Sequence, residues 1–163
     1  MLMNATTTPN GKVASLHLHP ALPGAPLASA ETVEVFEGKG ILGDARYFER
    51  PARSPNEPFR RQVSLIEREQ LADHAGALGL TTIPPGAVRS NIETTGLNLV
   101  SLLGREVEIG EAVLFLYAPR DPCAKMDAIC QGLRERMLNS RQGVLAQVRR
   151  AGKIRVGDTI RPI

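Results

Sequence analysis

The stretch REVEIGEAVLFLYAPRDPCAK, residues 105–125, decides the fold. Residues 105–109 alternate and residues 113–117 are continuously apolar, and Gly110 and Glu111 between them form a two-residue hairpin signal. Similar short segments, each bounded by turn residues, predict the remaining strands. They lie at residues 12–19, 32–36, 61–66, 90–93, 144–148, 153–156 and 159–162, and the last two look like a closing hairpin. Short strands without alternating strand–helix units indicate a mainly β barrel.

Two segments carry helical patterns instead. Residues 67–78 predict a helix that stops near Gly79, and residues 125–138 predict a second one. The apolar residues at helical spacing in the second segment are Met126, Ile129, Leu133 and Met137. Cys130 lies on the same apolar face, so we expect it to be buried in the core without chemistry. The expected architecture is a mainly β barrel with a few peripheral helices.

The composition predicts one domain with an aliphatic core. The chain has 163 residues, of which 4% are aromatic and none is tryptophan. We expect a single domain over residues 11–163, after a flexible N-terminus at residues 1–10. Residues 48–59 are rich in proline and predict a mobile loop.

Cys123 is the candidate reactive residue. It lies between a strand and a predicted helix, among prolines and between Arg120 and Lys125. Nearby cations and a helix N-terminus favour the thiolate, which is the form that acts as a nucleophile or a metal ligand. Asp121 acts in the opposite direction. The alternative interpretation is a small apolar residue in a loop.

Basic residues dominate the C-terminal third, although the formal net charge is only +3. After residue 133 they are Arg134, Arg136, Arg141, Arg149, Arg150, Lys153, Arg155 and Arg161. Only Glu135 and Asp158 oppose them. Such a charge suits an anionic ligand such as a phosphate, or nucleic acid, or simply a solvated strand face. We do not expect nucleic acid, because the chain lacks an aromatic stacking platform.

Several classes of protein are excluded by motif and spacing. Cys123 and Cys130 are not spaced as CxxC, and His17, His19 and His74 lie on different elements, so we expect no thioredoxin or zinc site. No apolar stretch of about 18 residues predicts a membrane span. Residues 1–10 lack the pattern of a signal peptide, which predicts a reducing, cytoplasmic location.

Arg89 and Asn91 stand two residues apart on a predicted strand. On a strand both side chains point to one face. Together they could clamp an oxyanion or the edge of a pterin-like ring. The alternative is an ordinary salt bridge with a turn amide.

Several motifs along the chain occur in a familiar order. They are GILGDAR at 40–46, RQVSLI at 61–66, PGAVRSNI at 85–92, LVSLLG at 99–104, IGEA at 109–112, PC at 122–123, GL at 132–133, RQGV at 141–144 and GKIRVGD at 152–158. Their order, together with the cysteine, resembles the MOSC domain, the family named for the C-terminal domain of molybdenum cofactor sulfurases. The resemblance covers roughly residues 11–163.

The resemblance implies two chemistries for Cys123, which matches the family cysteine. In one, it holds a persulfide and delivers sulfur to a metal centre or cofactor. In the other, it ligates molybdenum in a pterin cofactor, and the protein reduces N-hydroxylated compounds. Residues that the resemblance places at the cofactor cleft are Arg61, Arg89 and Asn91, and we expect Lys125 or Lys39 at the rim of that cleft. Binding of pyridoxal phosphate is a further property that it implies.

The implied partners differ between the two chemistries. A carrier needs a sulfur donor such as a cysteine desulfurase, and a reductase needs an electron-transfer partner. The chain lacks the extra N-terminal region, the histidine-rich segment and the attached redox domain of some relatives, which counts against a self-sufficient reductase. Two alternatives remain. One is a non-catalytic module that uses the basic C-terminal third, and the other is a peroxide-reducing thiol enzyme with Cys130 as the resolving thiol.

Overall fold

A computed structural model describes residues 9–50 and 61–163. The predicted N-terminus at 1–10 and the proline-rich loop at 48–59 lie mostly outside these ranges. Within them the chain forms β1 (Gly11–Leu18), β2 (Ala28–Ala30), β3 (Thr32–Phe36), β4 (Gly40–Ile41), β5 (Val63–Glu67), α1 (Arg68–Ala77), β6 (Ile92–Thr95), β7 (Glu106–Ile109), β8 (Ala112–Pro119), α2 (Leu133–Arg136), β9 (Val144–Arg150), β10 (Gly152–Arg155) and β11 (Thr159–Pro162). Two 3-10 helices are Val100–Leu102 and Ala124–Ala128.

Seven strands close into a barrel in the order β11-β7-β8-β9-β5-β6-β1, because β1 also pairs with β11. The closing register sets Gly11 opposite Ile160 and Lys12 opposite Thr159. Strand β2 extends the sheet beside β1, and β10, β3 and β4 form a separate three-stranded sheet. The prediction of a mainly β barrel with peripheral helices is confirmed.

The β7–β8 hairpin forms where the sequence predicts it, with Ile109 opposite Ala112. Gly110 adopts a positive φ of 56° in the turn. A Cβ atom at this position would collide with the Asp158 carboxylate and the Lys153 carbonyl oxygen. The turn therefore requires glycine both for its backbone conformation and for space.

One pair of barrel strands is parallel. Leu65 of β5 lies opposite Ile92 of β6, and the chain reaches β6 through α1 and the loop that follows it. Parallel neighbours need such a crossover, since both strands must start at the same end of the sheet. The segments that precede β5 and β6 therefore meet at one end of the barrel.

The predicted closing hairpin at 153–162 is wrong. Strand β10 pairs with β3, whereas β11 pairs with β7 and β1. The turn between them is well made, because the Asp158 carboxylate accepts the Arg155 amide at 2.7 Å and the Gly157 amide donates to the Val13 carbonyl at 2.8 Å. A turn signal predicts the reversal of the chain but not which strands it pairs.

The predicted helix at 125–138 is also wrong as one continuous element. The chain forms the 3-10 helix Ala124–Ala128, breaks at Gly132, where φ is 94°, and resumes as the short α2. The Asp127 carboxylate accepts the amides of Gly132 and Arg134 at 3.2 and 3.0 Å, which stabilises the break. The first predicted helix is present as α1.

Two apolar clusters make the core, and both are aliphatic as predicted. The larger fills the barrel. The smaller lies outside it, against β5, and its buried residues are Ile66, Leu71, Ala75, Ile83, Val88, Met126, Leu133 and Met137. Cys130 was expected inside the core, but it is only half-buried at the edge of this second cluster. The break at Gly132 ends the regular helical spacing on which that expectation rested.

Glu67 is a buried carboxylate that should make stability depend on pH. Burial, with a contribution from Glu69, raises its pKa to about 7, against a backbone hydrogen bond at Leu99 that lowers it. The folded state therefore holds a proton that the unfolded state loses above about pH 4.5. Stability is lost as the pH rises from about 4.5 to 7 and then stays constant.

The variant Glu67→Gln keeps the shape but cannot ionise. We expect it to be more stable than the wild type above pH 7, by up to about 3 kcal/mol, with the difference vanishing near pH 4. Urea unfolding of both proteins across this pH range measures it. Glu69→Gln is the matched control, and an equal effect of both substitutions would contradict the assignment.

Candidate functional site

Cys123 is exposed and directly precedes the 3-10 helix Ala124–Ala128. Its own carbonyl oxygen accepts the Met126 amide at 3.1 Å. The loop that carries it is fixed where β8 ends, because the Arg120 amide donates to the Gly143 carbonyl oxygen at 3.0 Å. The thiol thus lies at the predicted junction after a strand, although the helix that follows is short.

The strand register brings Arg61 and Arg89, which are far apart in the chain, to one end of the barrel. Arg61 precedes β5 and Arg89 precedes β6, whose parallel pairing sets Leu65 opposite Ile92. The antiparallel β1 ends there as well, since Leu16 lies opposite Ile92. Residues far apart in the chain therefore share one surface.

Arg120 lies at the centre of this group. It is half-buried, and its Nη1 donates to the Val88 carbonyl oxygen at 3.1 Å and to the Ser90 hydroxyl at 3.0 Å. Burial lowers its pKa to about 9. The other groups close enough to affect this pKa are Arg61 and Arg89, which lower it, and Tyr47 and Cys123, which raise it. Three predicted site residues, Arg61, Arg89 and Cys123, therefore lie close to Arg120. In the sequence, Arg120 stands out only as a charged neighbour of Cys123.

Arg61 lies over the ring of Tyr47. Its guanidinium carbon is 4.2 Å from the ring centroid, a cation–π distance. Its Nε and Nη2 atoms are buried and have no hydrogen-bond partner among residues 9–50 and 61–163. Burial lowers the pKa of this arginine, and the Tyr47 hydroxyl partly offsets that effect. Buried donors without acceptors are costly, so this guanidinium is suited to an anionic ligand.

A cavity of about 410 Å³ opens beside this group. Its lining residues are Pro20, Ala21, Pro23, Ala45, Arg46, Arg50, Arg89 and Lys125. The described lining holds four cationic side chains and no carboxylate, and we call it the cationic cavity. Two of its arginines also approach the Tyr47 ring, Arg46 at 5.5 Å and Arg50 at 5.6 Å.

Arg89 separates the cationic cavity from a second one of about 370 Å³, which is otherwise lined by Gly24, Pro26, Leu27, Pro84, Pro85, Gly86 and Ala87. Its backbone has a φ of 66°, which is rare for a residue with a side chain. Its Nη1 donates to the Ala25 carbonyl oxygen at 2.9 Å. Arg89 therefore does not share a strand face with Asn91 as predicted, because the backbone turns before β6 begins.

Asn91 is buried and its polar atoms have internal partners. Its Oδ1 accepts from the amide and the hydroxyl of Ser64 at 3.1 and 3.2 Å. Its Nδ2 donates to the His17 carbonyl oxygen at 3.0 Å and to Asp44 Oδ2 at 2.9 Å. The structure therefore assigns Asn91 to the framework beneath the cationic cavity, and not to its lining.

The two predicted rim lysines lie in different places. Lys125 lines the cationic cavity. Lys39 lies in the turn before β4 and forms an exposed ion pair with Glu49, with 3.7 Å between Nζ and Oε1. Lys39 is not among the lining residues of that cavity.

Much of the basic C-terminal third is paired. Arg150 and Arg161 both contact Glu108, at 3.3 and 2.9 Å. Arg149 lies over the Phe115 ring with 4.3 Å to its centroid. Arg155 approaches Glu111 at 4.0 Å. This pairing leaves less free positive charge for nucleic acid than the composition suggests.

The segment that follows Cys123 is anchored on α1 by polar contacts. Arg136 donates to His74 Nδ1 at 3.2 Å, and His74 Nε2 donates to the Arg141 carbonyl oxygen at 2.9 Å. Arg136 and Arg141 both donate to Asp73 Oδ2, at 3.0 and 2.6 Å. Burial lowers the pKa of His74, which keeps its ring neutral and able to accept from Arg136.

Residues 9–50 and 61–163 contain neither a cluster of metal ligands nor a membrane-spanning helix. No group of three or more His, Cys, Asp or Glu side chains in these ranges could hold a metal ion. In the same part of the chain, no helix is long and apolar enough to cross a membrane.

Comparison with solved structures supports the fold. The chain is similar to the YuaD protein from Bacillus subtilis, at 22% identity with a TM-score of 0.79, covering 95% of this chain and 97% of that one. It is also similar to YiiM from Escherichia coli, at 19% identity with a TM-score of 0.65, covering 93% and 69%. YiiM from Geobacillus stearothermophilus gives 15% identity, a TM-score of 0.69, and coverage of 94% and 75%.

No curated protein sequence matches the chain. The family model for the MOSC domain matches residues 23–161, which include the barrel strands from β5 to β9, Cys123 and the whole cationic cavity apart from Pro20 and Ala21. With this match and the barrel described above, the chain belongs to the MOSC domain family.

Proposed function

We propose that this MOSC protein binds a molybdenum-pterin cofactor, with Cys123 as the protein ligand to the metal. One observation carries the proposal: an exposed cysteine stands two residues before Lys125, which lines a cavity with four cationic side chains and no carboxylate in its described lining. The volume of about 410 Å³ lies in the usual range for small-molecule sites. Such a cavity favours a ligand with a phosphate group.

The residues present fit such a cofactor. Arg46, Arg89 and Lys125 would hold its phosphate by charge-assisted hydrogen bonds. The buried Nε and Nη2 donors of Arg61 would find acceptors on the same ligand. The thiolate of Cys123 is a soft ligand suited to molybdenum. When bound, the cofactor would supply the redox chemistry that reduces N-hydroxylated compounds, with electrons from a separate electron-transfer partner.

The second candidate is a sulfur carrier, favoured by the exposure of Cys123. Here the thiolate attacks the outer sulfur of a donor persulfide, forms a new S–S bond and releases the donor thiolate. A cysteine desulfurase is the class of donor that this step needs. Binding of pyridoxal phosphate and a cytoplasmic location stay predictions, and so does the alternative of a module that binds through its basic C-terminal third.

Substitution of the cysteine separates the two candidates. We expect wild-type protein, purified from a host that makes molybdenum cofactor, to hold molybdenum and pterin in near-equal amounts. Cys123→Ser should lose the metal without unfolding, because the hydroxyl has nearly the same volume but stays protonated and is a poor ligand. Metal analysis and a thermal melt measure this, with Cys130→Ser as the control. Full metal content in Cys123→Ser would end the proposal, and labile sulfur without metal would select the carrier.

The two thiols should differ in reactivity. We expect Cys123 to be alkylated faster than Cys130, because Cys123 is exposed beside Arg120 whereas Cys130 is half-buried and its Sγ lies 3.7 Å from the Gln131 carbonyl oxygen. Timed alkylation followed by peptide mass spectrometry measures both rates in one sample. Faster labelling of Cys130 would reverse the assignment of the reactive thiol.

Removing charge from the cationic cavity should weaken anion binding. We expect Arg46→Gln and Lys125→Gln each to lower the affinity for inorganic phosphate by about tenfold, the effect of one lost charge-assisted hydrogen bond. Isothermal titration calorimetry at fixed ionic strength measures it. Lys39→Gln is the matched control, since its exposed partner is Glu49. An equal loss in the control would show that only overall charge matters.

A further inference from the structure

Asp44 is a buried carboxylate with five donors around it. Oδ2 accepts from the His19 amide at 3.0 Å, from His19 Nδ1 at 2.8 Å and from Asn91 Nδ2 at 2.9 Å. Oδ1 accepts the amides of Arg46 at 3.1 Å and Tyr47 at 2.9 Å. Burial alone would raise the pKa of Asp44, but the hydrogen bonds from His19 outweigh it, so the pKa stays below its usual value.

The two oxygens of Asp44 bind two different parts of the molecule. Oδ2 binds the framework, namely the residue after β1 and the side chain just before β6. Oδ1 binds the turn that carries Arg46 and Tyr47. An ionised carboxylate can accept on both sides at once, whereas an amide would present a donor to one of them. The position of the turn therefore depends on a charge at residue 44.

Tyr47 links the turn to the Arg61 guanidinium through its ring. Its ring meets the His19 ring edge-on, with 5.0 Å between centroids and 80° between planes. Its face carries the Arg61 guanidinium at 4.2 Å. Two buried donors of Arg61 have no partner in the part of the chain that the structure describes. A shift of Tyr47 would therefore move these two donors, which could meet an anion.

We infer that Asp44, held by His19 and Asn91, is a positioning residue that sets Tyr47 as a platform and so orients Arg61 toward an anionic ligand. The inference rests on the proposed function for the identity of the ligand. The contacts of Asp44, Tyr47 and Arg61 are independent of that proposal. Asp44 and Asn91 do not line the cationic cavity, and they act on it through the turn.

The test uses tyrosine as a reporter. The chain has two tyrosines and no tryptophan, so Tyr117→Phe leaves Tyr47 as the single tyrosine. In this background we expect Asp44→Asn to lose most of the near-ultraviolet circular dichroism of tyrosine and to bind inorganic phosphate about tenfold more weakly. The matched control is Asp73→Asn, which likewise removes one carboxylate. Asp73 lies on α1 and pairs with Arg136 and Arg141. We expect this control to change neither signal.

Two further variants keep the inference testable. Asn91→Ser removes one donor from Asp44. It replaces Asp44→Asn in both measurements if Asp44→Asn does not fold. Tyr47→Phe keeps the ring and should bind phosphate within about twofold of the wild type, whereas Tyr47→Leu should be as weak as Asp44→Asn. Equal affinity of these two Tyr47 variants would show that the ring is not a platform and would overturn the inference.

The outcomes separate this inference from the proposed function. A folded Asp44→Asn with an unchanged tyrosine signal and unchanged affinity overturns the inference. So does the loss of cooperative melting in both Asp44→Asn and Asn91→Ser, since the role would then be structural. A third outcome is that the wild type binds no phosphate while Asp44→Asn still loses the tyrosine signal. That result supports the positioning of Tyr47 by Asp44 and contradicts only the anion site.

Discussion

The parallel pairing of β5 with β6 is the constraint on which the arrangement of this molecule depends. In a barrel of otherwise antiparallel strands, consecutive strand starts alternate between the two ends. The register of Leu65 opposite Ile92 breaks that alternation once. It brings the approach to β5, with Arg61, and the approach to β6, with Arg89, to one end of the barrel. A hairpin connection would have placed the two arginines at opposite ends. The side chain of Arg120, which follows β8, reaches Val88 and Ser90 on the approach to β6.

Charge is distributed unevenly as a result. Arginines gather around Tyr47 and Arg120, whereas the buried carboxylate of Asp44 uses both its oxygens on internal donors. Elsewhere on the surface, Glu108 pairs with two exposed arginines of the C-terminal third, Arg150 and Arg161. Like charges held close together destabilise a fold unless a counter-charge arrives. An anion bound among the arginines around Tyr47 and Arg120 would therefore offset their mutual repulsion.

Local signals in the sequence predict a good part of this. The β7–β8 hairpin follows from the turn at Gly110, and Cys123 stands out by its neighbours. The apolar positions Met126, Leu133 and Met137 are buried as expected, but the break at Gly132 is not visible in their spacing. Periodicity shows which positions are apolar. A glycine with a positive φ redirects the backbone but leaves the same positions apolar, so the periodicity does not reveal it.

Long-range contacts could not be predicted in the same way. Asn91 was a candidate ligand because its side chain can bind anions, but its partners are Ser64 and Asp44, which lie far away in sequence. The stacking of Arg61 on Tyr47 depends on strand order, which no local pattern encodes. Only the motif that includes Arg46 drew attention to that turn, and nothing in it indicated that Tyr47 would be a platform.

The second apolar cluster gives the cysteine segment a local stability of its own. Met126, Leu133 and Met137 pack outside the barrel, and Arg136 and His74 join the segment to α1. Such a unit can open while the barrel hydrogen bonds stay intact, so its amides should exchange with solvent at a lower free-energy cost than those of β8. The position of the exposed Cys123 thiol relative to the barrel therefore depends on this local opening equilibrium, and not on the stability of the domain as a whole.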